Sequence, residues 1–70
     1  MSKVVASMAG SVWKILCKEG DSIEAGEDVV ILESMKMEIP IQAEAGGTVK
    51  EVKVNEGDFV NEGDVLIELE

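Results

Sequence analysis

Histidine is absent from this chain of 70 residues, and cysteine occurs once. Without imidazole groups, the chain lacks the side chain most often used for general acid–base catalysis and for binding transition metals. A single cysteine cannot form an internal disulfide, which favours a reducing compartment. These absences argue against an enzyme that works through histidine and against a domain held together by disulfides.

Basic residues and long apolar runs are also scarce. Six Lys and Arg residues face fifteen Asp and Glu residues, for a net charge of −9. Such a surface repels the phosphates of nucleic acids and of anionic membranes. No apolar run approaches the roughly 18 residues of a membrane span, and residues 1–5 lack the apolar segment of a signal peptide. We therefore expect a complete cytoplasmic protein with no nucleic-acid and no membrane partner.

The apolar residues that are present, 46% of the chain, occur in short runs rich in Val and Ile. Clusters of glycine with Asp, Glu or Asn separate these runs, and such clusters favour turns. The runs cover residues 3–6, 11–17, 28–33, 38–43, 47–54 and 64–69, with shorter pieces at 23 and 59–60. This spacing predicts an all-β domain. The alternative is a helical turn over residues 32–37, whose Leu, Glu, Met and Lys favour helix.

The chain contains an internal repeat at an offset of 37 residues. Residues 3–33 align with residues 40–70 without a gap, and both segments carry a Glu-Gly-Asp turn, at 19–21 and 56–58. Two units are too few for a solenoid. The repeat therefore predicts one domain over residues 1–70, a closed sandwich of two like halves around a pseudo-two-fold axis, with residues 34–39 connecting the halves.

The connector holds the candidate functional residue, Lys36, between Met35 and Met37. A connector between two strands turns at the surface, so we expect Lys36 to be exposed at a tip, away from the chain termini. Exposed methionines often mark a surface that another protein contacts. The flanking Glu33 and Glu38 either steer basic partners or only add solubility. The alternative for Lys36 is an ordinary solvated lysine.

Three other features are expected to be structural. Cys17 lies in an apolar run, which predicts a buried residue acting as a small hydrophobe and not a nucleophile. The glycine–acid clusters lack the spacing of calcium-binding loops, which indicates solvated turns. Trp13 aligns with Lys50 in the repeat, so we expect it to face partly outward.

The segment Glu33-Ser34-Met35-Lys36-Met37 resembles the Glu-Ala-Met-Lys-Met signature of the biotinyl domains of biotin-dependent carboxylases. The resemblance covers the whole chain and is strongest to the short, stand-alone biotin/lipoyl attachment proteins. Two departures are Ser34, where the family has Ala, and Met8-Ala9-Gly10, where the family usually has Pro-Met-Pro-Gly. The second departure affects the loop that precedes Gly10.

The resemblance implies a fold and a function. The family's fold is a flattened eight-stranded barrel of two antiparallel sheets, with the modified lysine on a hairpin. The implied function is that of a non-catalytic carrier with biotin covalently attached to Lys36, which moves carboxylate between the active sites of a biotin-dependent carboxylase. Met35 and Met37 would serve ligase recognition, in the hairpin context of Glu33, Ser34 and Glu38. The implied partners of this monomer are biotin protein ligase and the biotin carboxylase and carboxyltransferase components.

Alternatives to the biotin carrier remain open. Lipoyl domains resemble the chain in body but typically carry Asp-Lys-Ala at the hairpin, whereas Met35 and Met37 favour biotin. A carrier of lipoate, served by a lipoyl ligase, or an acceptor of both cofactors is therefore the alternative within this fold. An unmodified protein-binding domain is the alternative of another class, and an enzyme in its own right is a third.

Overall fold

The glycine–acid clusters divide the chain into eight short strands in the computed structural model, which describes residues 2–70. The strands are β1 Ser2–Val5, β2 Gly10–Ile15, β3 Ser22–Ile23, β4 Asp28–Ser34, β5 Met37–Gln42, β6 Gly47–Val52, β7 Phe59–Val60 and β8 Val65–Leu69. Between strands, an Asp carboxylate accepts a hydrogen bond from a backbone N–H three residues earlier, as Asp21 does from Lys18 at 3.0 Å. No helix within residues 2–70 is long and apolar enough to cross a membrane.

The strands form two four-stranded antiparallel sheets. One has the order β5-β4-β2-β7 and carries the segment around Lys36, so we call it the hairpin sheet. The other has the order β1-β8-β6-β3 and contains the first and last strands of the chain, so we call it the terminal sheet. Backbone hydrogen bonds such as Ala6 N–H to the Asp64 carbonyl, 2.9 Å, link the loops around the sheets. This architecture confirms the predicted all-β sandwich of two antiparallel sheets.

The repeat in the sequence is also a repeat in the strand register. Gly10 pairs with Val60 in the hairpin sheet, and Gly47 pairs with Ile23 in the terminal sheet, each residue shifted by the same 37 positions. A β-bulge interrupts β2 between Val12 and Lys14, and another interrupts β6 at the equivalent place. The extra residues of these bulges are Trp13 and Lys50. The two halves therefore follow the same path, including its irregularities.

The core lies between the two sheets. It consists of buried side chains, most of them on the strands: Val4, Ala6, Val12, Cys17, Ile23, Val29, Val30, Leu32, Ile41, Ala43, Val49, Val60, Leu66, Ile67 and Leu69. Burying a Val, Leu or Ile side chain stabilises a fold by about 1.5–3 kcal/mol relative to leaving it exposed. Both halves contribute to this single core, so neither half buries its apolar face alone.

The sequence predictions and the structure differ mainly at the strand ends. Residues 32–37 form no helical turn, because their pairing in a two-stranded ladder outweighs the helix propensity of the individual residues. The connector predicted over 34–39 is narrower, since Ser34 and Met37 still pair and only residues 35–36 form the turn. The first strand begins at Ser2, and the second ends at Ile15. Gly20 and Gly57 have φ angles of +91° and +96°, as their turns require.

Candidate functional site: the lysine hairpin

Lys36 lies at the tip of the β4–β5 hairpin, and we refer to residues 33–38 as the lysine hairpin. Ser34 and Met37 form the last strand pair, which leaves Met35 and Lys36 as a two-residue turn. Their φ angles are +51° and +65°. Positive φ at both central residues defines a type I′ turn, whose twist matches that of the flanking strands. The strand register thus fixes the position at which the lysine emerges.

The turn is strained, because neither central residue is glycine. The left-handed region costs about 1–2 kcal/mol for a residue with a Cβ, and type I′ turns therefore favour Asn-Gly. Met35 and Lys36 are the two non-glycine residues with positive φ in the part of the chain that the structure describes. Strained backbone of this kind concentrates at functional sites. The backbone strain is therefore concentrated at the tip of the hairpin.

The side chains at the tip project into solvent. Met35 is 92% exposed and Met37 is 63% exposed. Lys36 is exposed as well, and its ammonium group forms no ion pair with any residue in the range 2–70. Two thioether side chains therefore flank a primary amine that no neighbouring carboxylate holds in place. The amine is accessible to a molecule that approaches from solvent.

Two carboxylates lie side by side at the base of the turn. Glu33 and Glu38 pair directly across the hairpin, and both are exposed. Like charges at directly opposite positions of an antiparallel ladder are destabilising. The pair gives the approach to Lys36 a local negative potential.

The neighbouring strand β2 supports the hairpin through a close backbone approach. A Cβ at Gly10 would lie 2.9 Å from the Glu33 carbonyl oxygen and 3.4 Å from the Cβ of Ser34. The position therefore requires glycine, and Ser34 is small where β2 comes nearest. A larger residue at position 10 would press on the last residues of β4 just before the turn.

The row of paired residues that contains Glu33 continues across β2 to β7. Glu33 pairs with Ser11, and Ser11 pairs in turn with Phe59 of β7, which is 67% exposed. The sequence reasoning did not assign Phe59 to the site. The repeat contained the signal, because the residue equivalent to Phe59 is the polar Ser22.

Cys17 and Trp13 lie outside residues 33–38. Cys17 is buried, as predicted, and its thiol donates a weak hydrogen bond to the Val29 carbonyl at 3.9 Å. Burial, reinforced by the nearby charges of Asp21 and Glu27, raises the pKa of the Cys17 thiol. The group therefore stays protonated and unreactive at neutral pH. Trp13 is 40% exposed, as expected from its alignment with Lys50.

A family model described as "Biotin-requiring enzyme" matches residues 1–69 of the chain. The chain belongs to the biotin/lipoyl family. A curated relative, the "Biotin/lipoyl attachment protein" of Bacillus subtilis, is 67% identical over 66 residues, which are 94% of this chain and 90% of the relative. This comparison confirms the resemblance to stand-alone attachment proteins.

Solved structures of this biotin/lipoyl family share the fold. The Kluyveromyces lactis urea carboxylase matches with a TM-score of 0.89 and 32% identity, over 97% of this chain but 6% of the carboxylase. The lipoyl domain of the Azotobacter vinelandii 2-oxoglutarate dehydrogenase complex matches with a TM-score of 0.74 and 28% identity, over 96% of this chain and 95% of that domain. The two-sheet fold is therefore shared with part of a carboxylase and with a lipoyl domain.

Proposed function

We propose that this protein is a carrier that holds biotin in amide linkage on Lys36 and presents it to the active sites of a biotin-dependent carboxylase. The observation that supports the proposal most directly is the type I′ turn, which displays an unpaired lysine between two exposed methionines. The family description "Biotin-requiring enzyme" and the attachment protein of Bacillus subtilis support the choice of cofactor.

The residues at the tip fit a covalently attached group. The amine of Lys36 lies outside the two-sheet body, so an amide at its Nζ displaces no packed side chain. When bound, biotin would supply the capacity to accept and release a carboxylate. The chain supplies position: β4 and β5 fix the turn, and the lysyl stem provides reach. A tethered group is present at a high effective concentration wherever the carrier docks.

The catalytic steps are assigned to partners in this proposal. A biotin protein ligase would attach the cofactor, and biotin carboxylase and carboxyltransferase components would use it. The match to part of a urea carboxylase supports partners of this class. We place the carrier in the cytoplasm as a monomer, and the buried free thiol of Cys17 is compatible with a reducing compartment.

A lipoyl carrier is the second candidate. It is favoured by the likeness to the lipoyl domain of Azotobacter vinelandii and by the description of the Bacillus subtilis relative, which mentions both groups. Met35 and Met37 separate the two candidates, because lipoyl hairpins typically read Asp-Lys-Ala. We therefore propose biotin as the principal cofactor and lipoate as an additional one.

Intact mass spectrometry tests the attachment site. The parent protein, co-expressed with a biotin ligase, should gain the mass of one biotinyl group. Lys36→Arg should gain none, because a guanidinium keeps the charge but does not form this amide. Lys50→Arg, at an exposed strand lysine, is the matched control and should be modified like the parent. An unmodified parent would instead favour a protein-binding domain, and a biotinylated Lys36→Arg variant would contradict the assignment.

A further inference from the structure

The two sheets have equivalent backbones but different outer faces. The outward residues of the hairpin sheet include four apolar side chains, which we call the apolar face: Trp13, Ile31, Pro40 and Phe59. The equivalent positions of the terminal sheet, shifted by 37 residues, hold polar or charged side chains: Lys50, Glu68, Lys3 and Ser22. The pseudo-two-fold axis thus provides an internal comparison.

Folding does not require this difference. The backbone geometry is the same in both sheets, and in the terminal sheet it is satisfied by charged residues that face solvent. Phe59 and Trp13 are 67% and 40% exposed, so neither serves mainly to fill the core. Exposed apolar side chains grouped on one face of a small domain mark a contact with another molecule.

The apolar face is continuous with the lysine hairpin. Along one row of the sheet, Phe59 pairs with Ser11, Ser11 with Glu33, and Glu33 with Glu38. Neighbouring strands are about 4.8 Å apart, so this row spans the width of the sheet directly behind the turn. In the next row, Ile31 pairs with both Lys14 and Pro40. A partner that contacts Lys36 therefore also reaches the apolar face.

The charges around the face select the kind of partner. Glu33 and Glu38 border it on the hairpin side, and the chain as a whole carries a net charge of −9. Lys14 is the one basic side chain among these rows, and its Nζ lies 5.6 Å from the centre of the Trp13 ring. Repulsion between like charges disfavours a second copy of this chain as the occupant. A protein with an apolar docking surface and basic residues at its rim is complementary.

We propose that the apolar face is the docking surface for the biotin protein ligase, with Phe59 and Trp13 as the anchoring side chains. This inference rests on the proposed function. Before modification, only the four-carbon stem of Lys36 separates its amine from the backbone, so the ligase must approach the hairpin closely. The attached cofactor lengthens the arm afterwards, and carboxylase sites are reached from further away. Because the ligase must come closest to the hairpin, it is the partner that contacts the sheet behind the turn.

Steady-state biotinylation by a purified biotin ligase tests the docking surface. Phe59→Ser and Trp13→Lys each introduce the residue found at the equivalent position of the terminal sheet. Each should lower kcat/KM by about tenfold or more, because aromatic anchors at the centre of an interface dominate binding. The loss should appear in KM, with kcat unchanged, since docking contacts are the same in the ground state and the transition state.

Leu16→Ser provides the matched control. Leu16 is 49% exposed and follows the end of β2 that lies away from the lysine hairpin. It should be biotinylated like the parent, and circular dichroism should show all variants folded. Parental kinetics for Phe59→Ser and Trp13→Lys, or an equal loss for Leu16→Ser, would overturn the docking surface while leaving the carrier function intact. A dimer of the parent that Phe59→Ser dissociates in sedimentation would overturn it in favour of a second copy. A parent that accepts no biotin would instead remove the proposed function.

Discussion

At the scale of single residues, the site is defined by two methionines in an unusual setting. Met35 and Met37 are 92% and 63% exposed, and they flank an amine that forms no ion pair within residues 2–70. The fold is shared with part of a urea carboxylase and with a lipoyl domain. A ligase that must tell the two kinds of carrier apart can do so at the neighbours of the lysine, since a few contacts suffice to set a difference in affinity.

Replacing both methionines should change which cofactor the carrier accepts. Met35→Asp combined with Met37→Ala gives a hairpin that reads Asp-Lys-Ala. Biotinylation should fall by about tenfold or more, because a lost apolar contact is worth roughly 10–200-fold in rate. Lipoylation should rise or stay the same, as measured side by side with purified biotin and lipoyl ligases. Met35→Leu with Met37→Leu keeps the apolar volume and is the control; equal biotinylation of the Asp/Ala variant and the parent would locate recognition elsewhere.

At the scale of the hairpin, the methionine at the first position of the turn lowers the stability of that turn. Met35 has a φ of +51° and is almost fully exposed, so packing of its side chain does little to offset the strain of the turn. Asn adopts this region with a much smaller penalty. The residue at position 35 is therefore better suited to contact with a partner than to the turn itself.

Met35→Asn should consequently stabilise the protein and impair its modification. Relief of the turn strain is worth up to about 1 kcal/mol, which corresponds to a rise of roughly 4–8 °C in Tm for a domain of this size. Biotinylation should slow at the same time, because the apolar contact is lost. Thermal unfolding followed by circular dichroism, together with the ligase assay, measures both effects. Met37→Asn, in a strand position, should show no gain in Tm; a Tm of Met35→Asn at or below that of the parent would refute the strain argument.

The elements were predictable from the sequence to the extent that local chemistry determines them. The Val- and Ile-rich runs and the glycine–acid turns predicted strands and their approximate places, and the repeat predicted that the halves match. The bulges at Trp13 and Lys50 were not predictable, because a bulge depends on how two strands register against each other. The same holds for the two-residue turn, since only the pairing of Ser34 with Met37 shows where the ladder stops. Phe59 was not assigned to the site, because only the pairing of β7 with β2 shows that it lies in the same row as Glu33.

At the scale of the whole molecule, the pseudo-two-fold axis makes equivalent changes comparable. Gly20 and Gly57 have nearly the same positive φ, and in both cases a Cβ would meet nothing within 4 Å. Any cost of adding a side chain therefore comes from the backbone alone. Equivalent turns should respond alike even though their surroundings differ in sequence.

Gly20→Ala and Gly57→Ala should each destabilise the fold by about 1 kcal/mol or more, lowering Tm by roughly 4–8 °C. The two losses should agree, as chemical and thermal denaturation would show. Glu19→Ala, a substitution in the same turn as Gly20 but without a positive φ, serves as the control and should leave Tm near that of the parent. Clearly unequal losses, or none, would mean that the turns are not equivalent in energy.

The pairing of β4 with β5 also bears on how many lysines this nearly symmetric body displays at a strained turn. Residues 2–34 contribute β2 and β4 to the hairpin sheet and β1 and β3 to the terminal sheet, and the second half supplies the remaining two strands of each. In connectivity, the molecule is two interlocked pieces joined at a single point, the turn of Met35 and Lys36. The pair of Ser2 with Leu69 in the terminal sheet is equivalent, at the 37-residue offset, to the pair of Ile39 with Leu32 near the lysine hairpin. Within residues 2–70, the turn with positive φ at two non-glycine residues occurs once, so this nearly symmetric body displays one lysine in that setting.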